Sequence, residues 1–133
     1  MKAINARIPR VLPHGARLEV CDNSGAKELK VISIKNLQTT RGRYPAAKIG
    51  DLILASVTKG KPDIKKNVVM AVVVRQKKEY LRPDGTRLKF QDNAAVVVKD
   101  VKGNPKGTIF KGPIAKEACE RWPAVAKLSR IVV

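Results

Sequence analysis

Acidic residues are scarce in this sequence. Its 133 residues include 28 lysines and arginines but only 11 aspartates and glutamates, so the formal net charge is +17. Such an excess of positive charge repels itself and weakens the compact state unless a large anionic partner neutralises it. The hydrophobic fraction of 44% is still enough for a folded chain. These properties favour a globular protein that binds nucleic acid, with an anionic membrane as the second candidate.

Long apolar segments are also missing. No apolar run approaches the roughly 20 residues that a membrane-spanning helix needs. The longest dense stretch, Val68–Val74, has the length of a buried strand. The segment Met1–Pro13 is basic but lacks the apolar core of a signal peptide. We therefore expect no membrane partner, and a chain of this length predicts one domain over residues 1–133.

Residues suited to catalysis and metal binding are few. Cys21 and Cys119 lie far apart without a CxxC pair, which argues against a zinc site or a disulfide, and both are expected to be small core residues in a reducing cytosol. His14 is the only histidine and has no local partner for a catalytic triad or a metal site. Glycine-rich phosphate-binding motifs are absent. The sequence predicts no enzyme, no cofactor and no metal. Four aspartates stand beside turn residues and are expected to cap backbone N–H groups: Asp22, Asp51, Asp84 and Asp92.

Short strand patterns fill the first two-thirds of the chain. The predicted strands are Arg17–Asp22, Leu29–Ile34, Leu52–Val57, Val68–Val74, a short one around Leu88 and Phe90, and Ala94–Val98. The alternation slips phase between Val31 and Ile32, which predicts a bulge. Leu52–Val57 and Val68–Val74 are nearly continuous apolar runs, so both faces of these two strands should be covered. Turn residues separate the strands without intervening helices, which indicates a mainly β barrel or sandwich.

The sequence changes character after Lys99. Pro113 is expected to begin a short helix, in which Ala115, Ala118, Cys119 and Trp122 follow helical spacing. Pro123 interrupts this helix, and residues 124–130 are expected to form a second short helical turn. The C-terminal piece should therefore pack on the β structure as a small helical appendage.

Positive charge is concentrated in three segments that lie mainly between strands. Half of the 28 basic residues fall in these segments, with only Asp63, Glu79 and Asp84 opposing them. The residues expected to bind RNA phosphates are Lys35, Arg41, Arg43, Lys48, Lys59, Lys61, Lys65, Lys66, Arg75, Lys77, Lys78, Arg82 and Arg87, with Lys89 in the same run. The alternative for any one of them is a solvated charge without a partner. Tyr44 and Tyr80 lie within two of these segments and either stack on unpaired bases or pack locally.

Several motifs occur in a fixed order along residues 14–125. The central one is Ala71–Val74, nine residues, Asp84-Gly85, four residues, Phe90, two residues, Asn93, two residues and Val96-Val97. Around it stand Asp22–Lys27, Gly50-Asp51, Val74–Lys78, Arg82–Gly85, Gly107–Phe110 and Gly112-Pro113. Together they resemble the universal large-subunit ribosomal protein L-fourteen family. Gln91-Asp92-Asn93, Lys111 and the tail Pro113–Pro123 are similar to its archaeal and eukaryotic branch.

The resemblance implies a small five-stranded β-barrel over about 14–100 and a short helical part over about 101–133. It also implies a structural protein of the cytoplasmic ribosome that binds large-subunit rRNA, contacts small-subunit rRNA at an intersubunit bridge and touches neighbouring large-subunit proteins. The alternative is a free-standing small-barrel RNA-binding regulator of translation, which would need an aromatic-rich open sheet face, whereas this chain is only 4% aromatic.

The segment 108–122 has less net charge than the basic segments and contains aromatic residues, as protein interfaces do. In the archaeal and eukaryotic branch, an anti-association initiation factor is expected to dock here. The expected docking residues are Thr108, Phe110, Lys111, Pro113 and Lys116. The alternative for Phe110 and Trp122 is that they pin the appendage to the barrel.

Overall fold

The computed structural model describes residues 2–35 and 37–133. Its strands are β1 (Leu12–Pro13), β2 (Arg17–Val20), β3 (Ala26–Ile34), β4 (Ala46–Ala47), β5 (Leu52–Gly60), β6 (Val68–Arg75), β7 (Tyr80–Leu81), β8 (Arg87–Leu88), β9 (Ala94–Val98), β10 (Pro113–Ile114) and β11 (Ile131–Val132). The helices are α1 (Lys116–Arg121) and α2 (Pro123–Leu128). The predicted mainly β class with short helices near the C-terminus is confirmed.

Five of these strands close into a barrel in the order β2-β3-β5-β6-β9. Neighbouring strands are antiparallel, except that β2 and β9 pair in parallel and complete the closure. Closure removes the open edges on which another chain could add a strand. The expected five-stranded barrel is therefore confirmed. Three short pairs lie outside it: β1 with β4, β7 with β8, and β10 with β11.

Strand β3 contains the predicted bulge. Val31 pairs with Ala55 of β5, but the next pair is Ser33 with Leu54, so the register shifts between Val31 and Ser33. The shift gives β3 an extra residue and bends it around the barrel. The phase slip in the apolar pattern was a correct signal for this irregularity.

The second half of strand β6 has two covered faces. Ala71 and Val73 point into the barrel, while Val72 and Val74 belong to a second core between the barrel and the C-terminal appendage. The prediction of two covered faces is confirmed for Ala71–Val74 but not for the start of β6, where Val68 is exposed and Val69 and Met70 are half-buried. It is wrong for β5, where Leu54 and Ser56 on the outer face are only half-buried because the appendage does not reach them.

The C-terminal appendage starts differently from the prediction. Pro113 does not begin a helix but lies in β10, which pairs in parallel with β11 at the end of the chain. Ala115 still has an extended backbone, so α1 begins at Lys116. Pro123 occupies the first turn of α2, where a proline is favourable. Trp122 is buried and its Nε1 donates to the Gly50 carbonyl at 2.8 Å, which fixes the helices to the barrel.

A hairpin with Asp84-Gly85 in its turn joins β7 to β8. The Arg82 N–H donates to the Thr86 carbonyl at 2.9 Å, and Asp84 accepts a bond from the Thr86 N–H. Gly85 has φ +91°, a conformation that glycine adopts without strain. The hairpin stands outside the barrel. Phe90 follows it and packs, half-buried, on the second core.

Candidate RNA-binding surface

The basic segments lie at two opposite ends of the barrel. Strand pairing brings loops 21–25, 61–67 and 99–106 to one end, because β3 starts, β5 ends, β6 starts and β9 ends there. Segments 35–51 and 76–93 lie at the other end. Strand β5 has nine residues and extends about 27 Å along its own direction; because barrel strands tilt by about 35–45°, the two ends lie about 20 Å apart along the barrel axis. We call the first the lysine end, because its exposed cations are lysines, and the second the arginine end, because exposed arginines lie there beside further lysines.

The lysine end is built on a tight turn. Ile64 is buried in the barrel core and anchors the turn, while the Lys65 N–H donates to the Lys61 carbonyl at 2.9 Å. The Lys66 N–H donates to the Val57 carbonyl of β5 at 2.8 Å. This backbone holds the turn rigidly and directs the neighbouring side chains into solvent. The expected RNA-binding residues exposed here are Lys59, Lys61, Lys65 and Lys66.

Four further lysines, which were not among the expected RNA-binding residues, lie at this end. They are Lys27, Lys99, Lys102 and Lys106, all exposed. The Lys106 N–H donates to the Val97 carbonyl at 3.0 Å, so the loop after β9 folds back on that strand and stays at this end. They are spread over distant segments, so they form no dense run of charge along the chain. Their positions beside strand ends were the available signal.

The arginine end carries a different mixture of cations. The exposed ones are Lys35, Arg41, Arg43, Lys77, Lys78, Arg87 and Lys89. Lys48 is half-buried, and this burial lowers the pKa of its ammonium, with Arg10 nearby lowering it further. Tyr44 is 85% exposed in the same end. Arginine offers a planar group that makes paired hydrogen bonds and stacks on bases, so this end differs chemically from the lysine end.

Arg75 was expected to bind RNA, and the structure contradicts this expectation. It is buried; its Nε lies 3.0 Å from Asp92 Oδ1, and its Nη1 donates to the carbonyls of Lys111 and Pro113. Two residues of β6 oppose one of β9 beside it, and this bulge turns Arg75 outwards against the appendage. Its guanidinium joins the barrel to the C-terminal segment and is not available to RNA.

Arg82 was also expected to bind RNA, but its side chain is engaged within the protein. The same contacts decide the role of Tyr80. Arg82 Nε donates to Glu117 Oε1 at 2.8 Å, and the Tyr80 hydroxyl donates to Glu117 Oε2 at 2.8 Å. Arg82 Nη2 also donates to the Val133 carbonyl. Burial and Glu117 raise the pKa of Tyr80, while the bond to Glu117 raises that of Arg82. Tyr80 is thus a packing residue, and Arg82 ties the hairpin to α1 and the chain end.

Some of the expected protein-docking residues are buried within the protein and others are exposed. Phe110 is buried in the second core, so it pins the appendage and cannot meet a partner. Thr108 is exposed, although its hydroxyl accepts a bond from the Asn23 amide. Lys111 and Lys116 are exposed and Pro113 is half-buried. Strand β11 adds two exposed apolar residues beside Pro113 that the sequence analysis missed: Ile131 and Val132.

The aspartates at turns mostly cap backbone groups, as predicted. Asp22 accepts bonds from the Ser24 and Val97 N–H groups, and Asp51 accepts from the Lys48 N–H. Asp51 also pairs with Arg10, and the Asp92 carboxylate pairs with the Arg75 guanidinium. These contacts assign the carboxylates to the fold.

The described residues do not support a metal site, a membrane-spanning helix or a reactive thiol at Cys21. Within residues 2–35 and 37–133, no group of three or more His, Cys, Asp or Glu side chains could hold a metal ion. In the same residues, no helix is long and apolar enough to cross a membrane. Burial raises the pKa of the Cys21 thiol to about 11, which keeps it protonated and unreactive near neutral pH.

Comparison with known proteins shows the family to which this chain belongs. The family model described as ribosomal protein L14p/L23e matches residues 11–133. The chain belongs to this family. Its members are structural proteins of the ribosome rather than enzymes, so the expectation of a non-enzymatic protein is confirmed.

Relatives of L14p/L23e type match along the whole chain. The large ribosomal subunit protein uL14 of Methanococcus vannielii is 53% identical over 132 residues, which cover 99% of both chains. The protein of the same name from Nanoarchaeum equitans is 55% identical over 133 residues and covers 100% of both chains. Both organisms are archaea, which agrees with the resemblance to the archaeal and eukaryotic branch.

Proposed function

We propose that this L14p/L23e family member is a structural constituent of the large subunit of the cytoplasmic ribosome and binds large-subunit rRNA there. The observation that carries the proposal is the exposed cationic surface at both ends of a closed barrel. Phosphate contacts from lysine and arginine supply most of the affinity of such surfaces for RNA. The curated relatives support the subunit, because both are named as large-subunit proteins.

Sedimentation of a cell lysate tests the proposal. We expect the tagged protein to remain with large subunits in moderate salt, because many phosphate contacts act together. A variant with Lys61, Lys65 and Lys66 changed to Gln should leave the subunits at a lower salt concentration. The alternative, a free-standing regulator, predicts a protein that sediments away from the subunits whatever the variant.

We further propose that one cationic end contacts small-subunit rRNA at an intersubunit bridge, with neighbouring large-subunit proteins packed nearby. Two ends about 20 Å apart on opposite sides of the barrel are suited to two RNA partners, since the barrel stands between them. Large subunits carrying charge-removing variants at one end or the other should differ in their rate of joining with small subunits, measured by light scattering. Equal rates for both variants and the wild type would contradict the bridge.

The surface formed by Lys111, Pro113, Lys116 and the apolar residues of β11 is proposed as the docking site of an anti-association initiation factor. It combines exposed apolar side chains with cations at the rim, where charge alters association without disturbing a core. Changing Lys111 and Lys116 to Glu should leave assembly into large subunits intact and weaken co-sedimentation of that factor.

The matched control for this experiment is Lys30→Glu, which reverses one exposed charge on the outer face of β3, away from the appendage. It should leave binding of the factor unchanged. If the factor binds the Lys111 and Lys116 variant normally while the protein is present at full occupancy, these lysines lie outside the docking site.

A further inference from the structure

Tyr44 is placed differently from the other large aromatic residues. Its side chain is 85% exposed, whereas Tyr80, Phe110 and Trp122 are all 4% exposed or less. Among the described residues with large apolar side chains, Tyr44 has the greatest exposure. An aromatic ring usually lies in a core or an interface, because it has 150–250 Å² of surface to bury. The position of Tyr44 therefore points to a partner that covers the ring.

The loop around Tyr44 holds a defined shape. Arg41 has φ +59° and Gly42 has φ +73°, so two successive residues adopt left-handed conformations. Arginine adopts this conformation rarely, and such residues concentrate at functional sites. The Thr39 hydroxyl donates to the Arg43 carbonyl within the loop. Pairing of β1 with β4 fixes the start of the segment that follows the ring.

The surroundings of the ring indicate the chemistry of the partner. Exposed Arg41 and Arg43 are close to Tyr44 in the chain, and segment 35–48 contains no acidic residue. The neighbours Gln38, Thr39 and Thr40 are polar and exposed, and the apolar Pro45 that follows the ring is half-buried, so little apolar surface lies beside the ring in the chain. A protein interface would require more apolar surface than this. One flat ring beside two cations is instead suited to a nucleobase with an adjacent phosphate.

The base must be unpaired in the free RNA. In a duplex the faces of each base are covered by its neighbours, and aromatic side chains reach bases only in loops, bulges or ends. We propose that Tyr44 stacks on an unpaired nucleobase of ribosomal RNA while Arg41 and Arg43 hold the adjacent phosphates. This inference rests on the RNA-binding function proposed above and adds a specific base contact to it.

Three variants of Tyr44 test the stacking contact. Binding to large-subunit rRNA transcribed in vitro is measured by filter binding over a range of salt concentrations. Tyr44→Ala should raise the Kd by about 5- to 150-fold, the range expected for loss of one base–aromatic stack. Tyr44→Phe and Tyr44→Trp should bind within roughly twofold of the wild type, because the ring is retained. The salt dependence should not change in any of them, since no charge is removed.

The control is Gln38→Ala in the same loop, which should bind like the wild type. If Tyr44→Ala also binds like the wild type, the inference is wrong, although the RNA-binding function stands as long as the lysine-end variant is weakened. If Tyr44→Phe loses as much as Tyr44→Ala, the hydroxyl and not the ring makes the contact, and stacking is again wrong. If the wild type itself does not bind the rRNA, the proposed function fails.

A second measurement identifies the base. Ultraviolet cross-linking of the wild-type complex should join Tyr44 to one nucleotide, which chemical probing of the free rRNA should report as unpaired. The cross-link should disappear in Tyr44→Ala and persist in Gln38→Ala. A cross-link to a nucleotide within a stable duplex would overturn the inference.

Discussion

The two ends of the barrel carry positive charge by different means. At the lysine end, the exposed cations assigned to RNA binding are all lysines, and a buried isoleucine, Ile64, anchors the turn that presents three of them. At the arginine end, Arg75 is buried and Arg82 is largely buried in ion pairs that hold the fold, while other arginines and several lysines project beside an exposed tyrosine. Lysine is a flexible point charge, whereas arginine is planar and directional. The lysine end is therefore suited to general attraction of phosphates, and the arginine end to recognition of a particular RNA shape.

The largest expected effect concerns the structural cations of the arginine end. Arg82→Ala should lower the free energy of unfolding by about 3 kcal/mol, because it leaves Glu117 buried without its partner. Urea denaturation measures this loss. The control is Arg87→Ala, whose exposed ion pair with Glu79 should contribute at most about 0.5 kcal/mol. Equal stability of the two variants would remove the distinction between buried and projecting arginines.

The next effect belongs to the lysine end. Changing Lys61, Lys65 and Lys66 to Gln should flatten the log–log salt dependence of rRNA binding by roughly two to three units, since each phosphate contact contributes about 0.9. The fold should not change, because these side chains are exposed and Ile64 is retained. Filter binding measures the slope. An unaltered slope would mean that this end faces solvent in the complex.

Removal of charge at the arginine end should have a smaller effect on the slope. Changing Arg41 and Arg43 to Ala should flatten it by roughly one to two units and weaken binding to rRNA. Changing both to Lys keeps the charge, so the slope should remain while the Kd rises. Loss of one directional hydrogen bond costs about 1 kcal/mol, which is roughly fivefold in Kd. If the Lys variant binds like the wild type, the two ends do not differ in chemistry.

The hairpin of the arginine end gives the smallest expected effect. Gly85→Val should destabilise the protein by about 1–2 kcal/mol, because a branched residue is strained at positive φ. No atom lies within 4 Å of the added Cβ, so the cost comes from the backbone alone. Gly85→Asn should lose less, since asparagine tolerates this conformation. RNA binding per folded molecule should not change, and thermal melting with filter binding checks both statements.

The strands were the most predictable part of the fold. Alternation of apolar residues has a period of two, so a local reading found most of the barrel strands and the slip in β3. The helix start predicted at Pro113 was wrong because Pro113 pairs with β11 at the end of the chain, and no local pattern indicates that pairing. The open outer face of β5 was missed for a similar reason: which face the appendage covers depends on tertiary packing.

The functional surface was less predictable than the fold. Charge density along the chain located Lys61, Lys65 and Lys66 but also selected Arg75 and Arg82, whose carboxylate partners are distant in sequence. A side chain's burial follows from such long-range contacts, and a run of basic residues carries no information about them. The sequence left Tyr44 and Tyr80 as equivalent alternatives, and only their opposite exposure separates them.

The central claim is that the two ends of the barrel bind separate segments of RNA. A tethered iron chelate that cleaves nearby RNA can be attached to a cysteine at either end, in Lys65→Cys and in Arg43→Cys. Cys21 is buried and unreactive, and Cys119 is replaced by Ala in both probes. The account predicts two distinct sets of cleaved rRNA nucleotides within assembled subunits, one for each probe. Cleavage of the same nucleotides from both positions, or none from either, would contradict it.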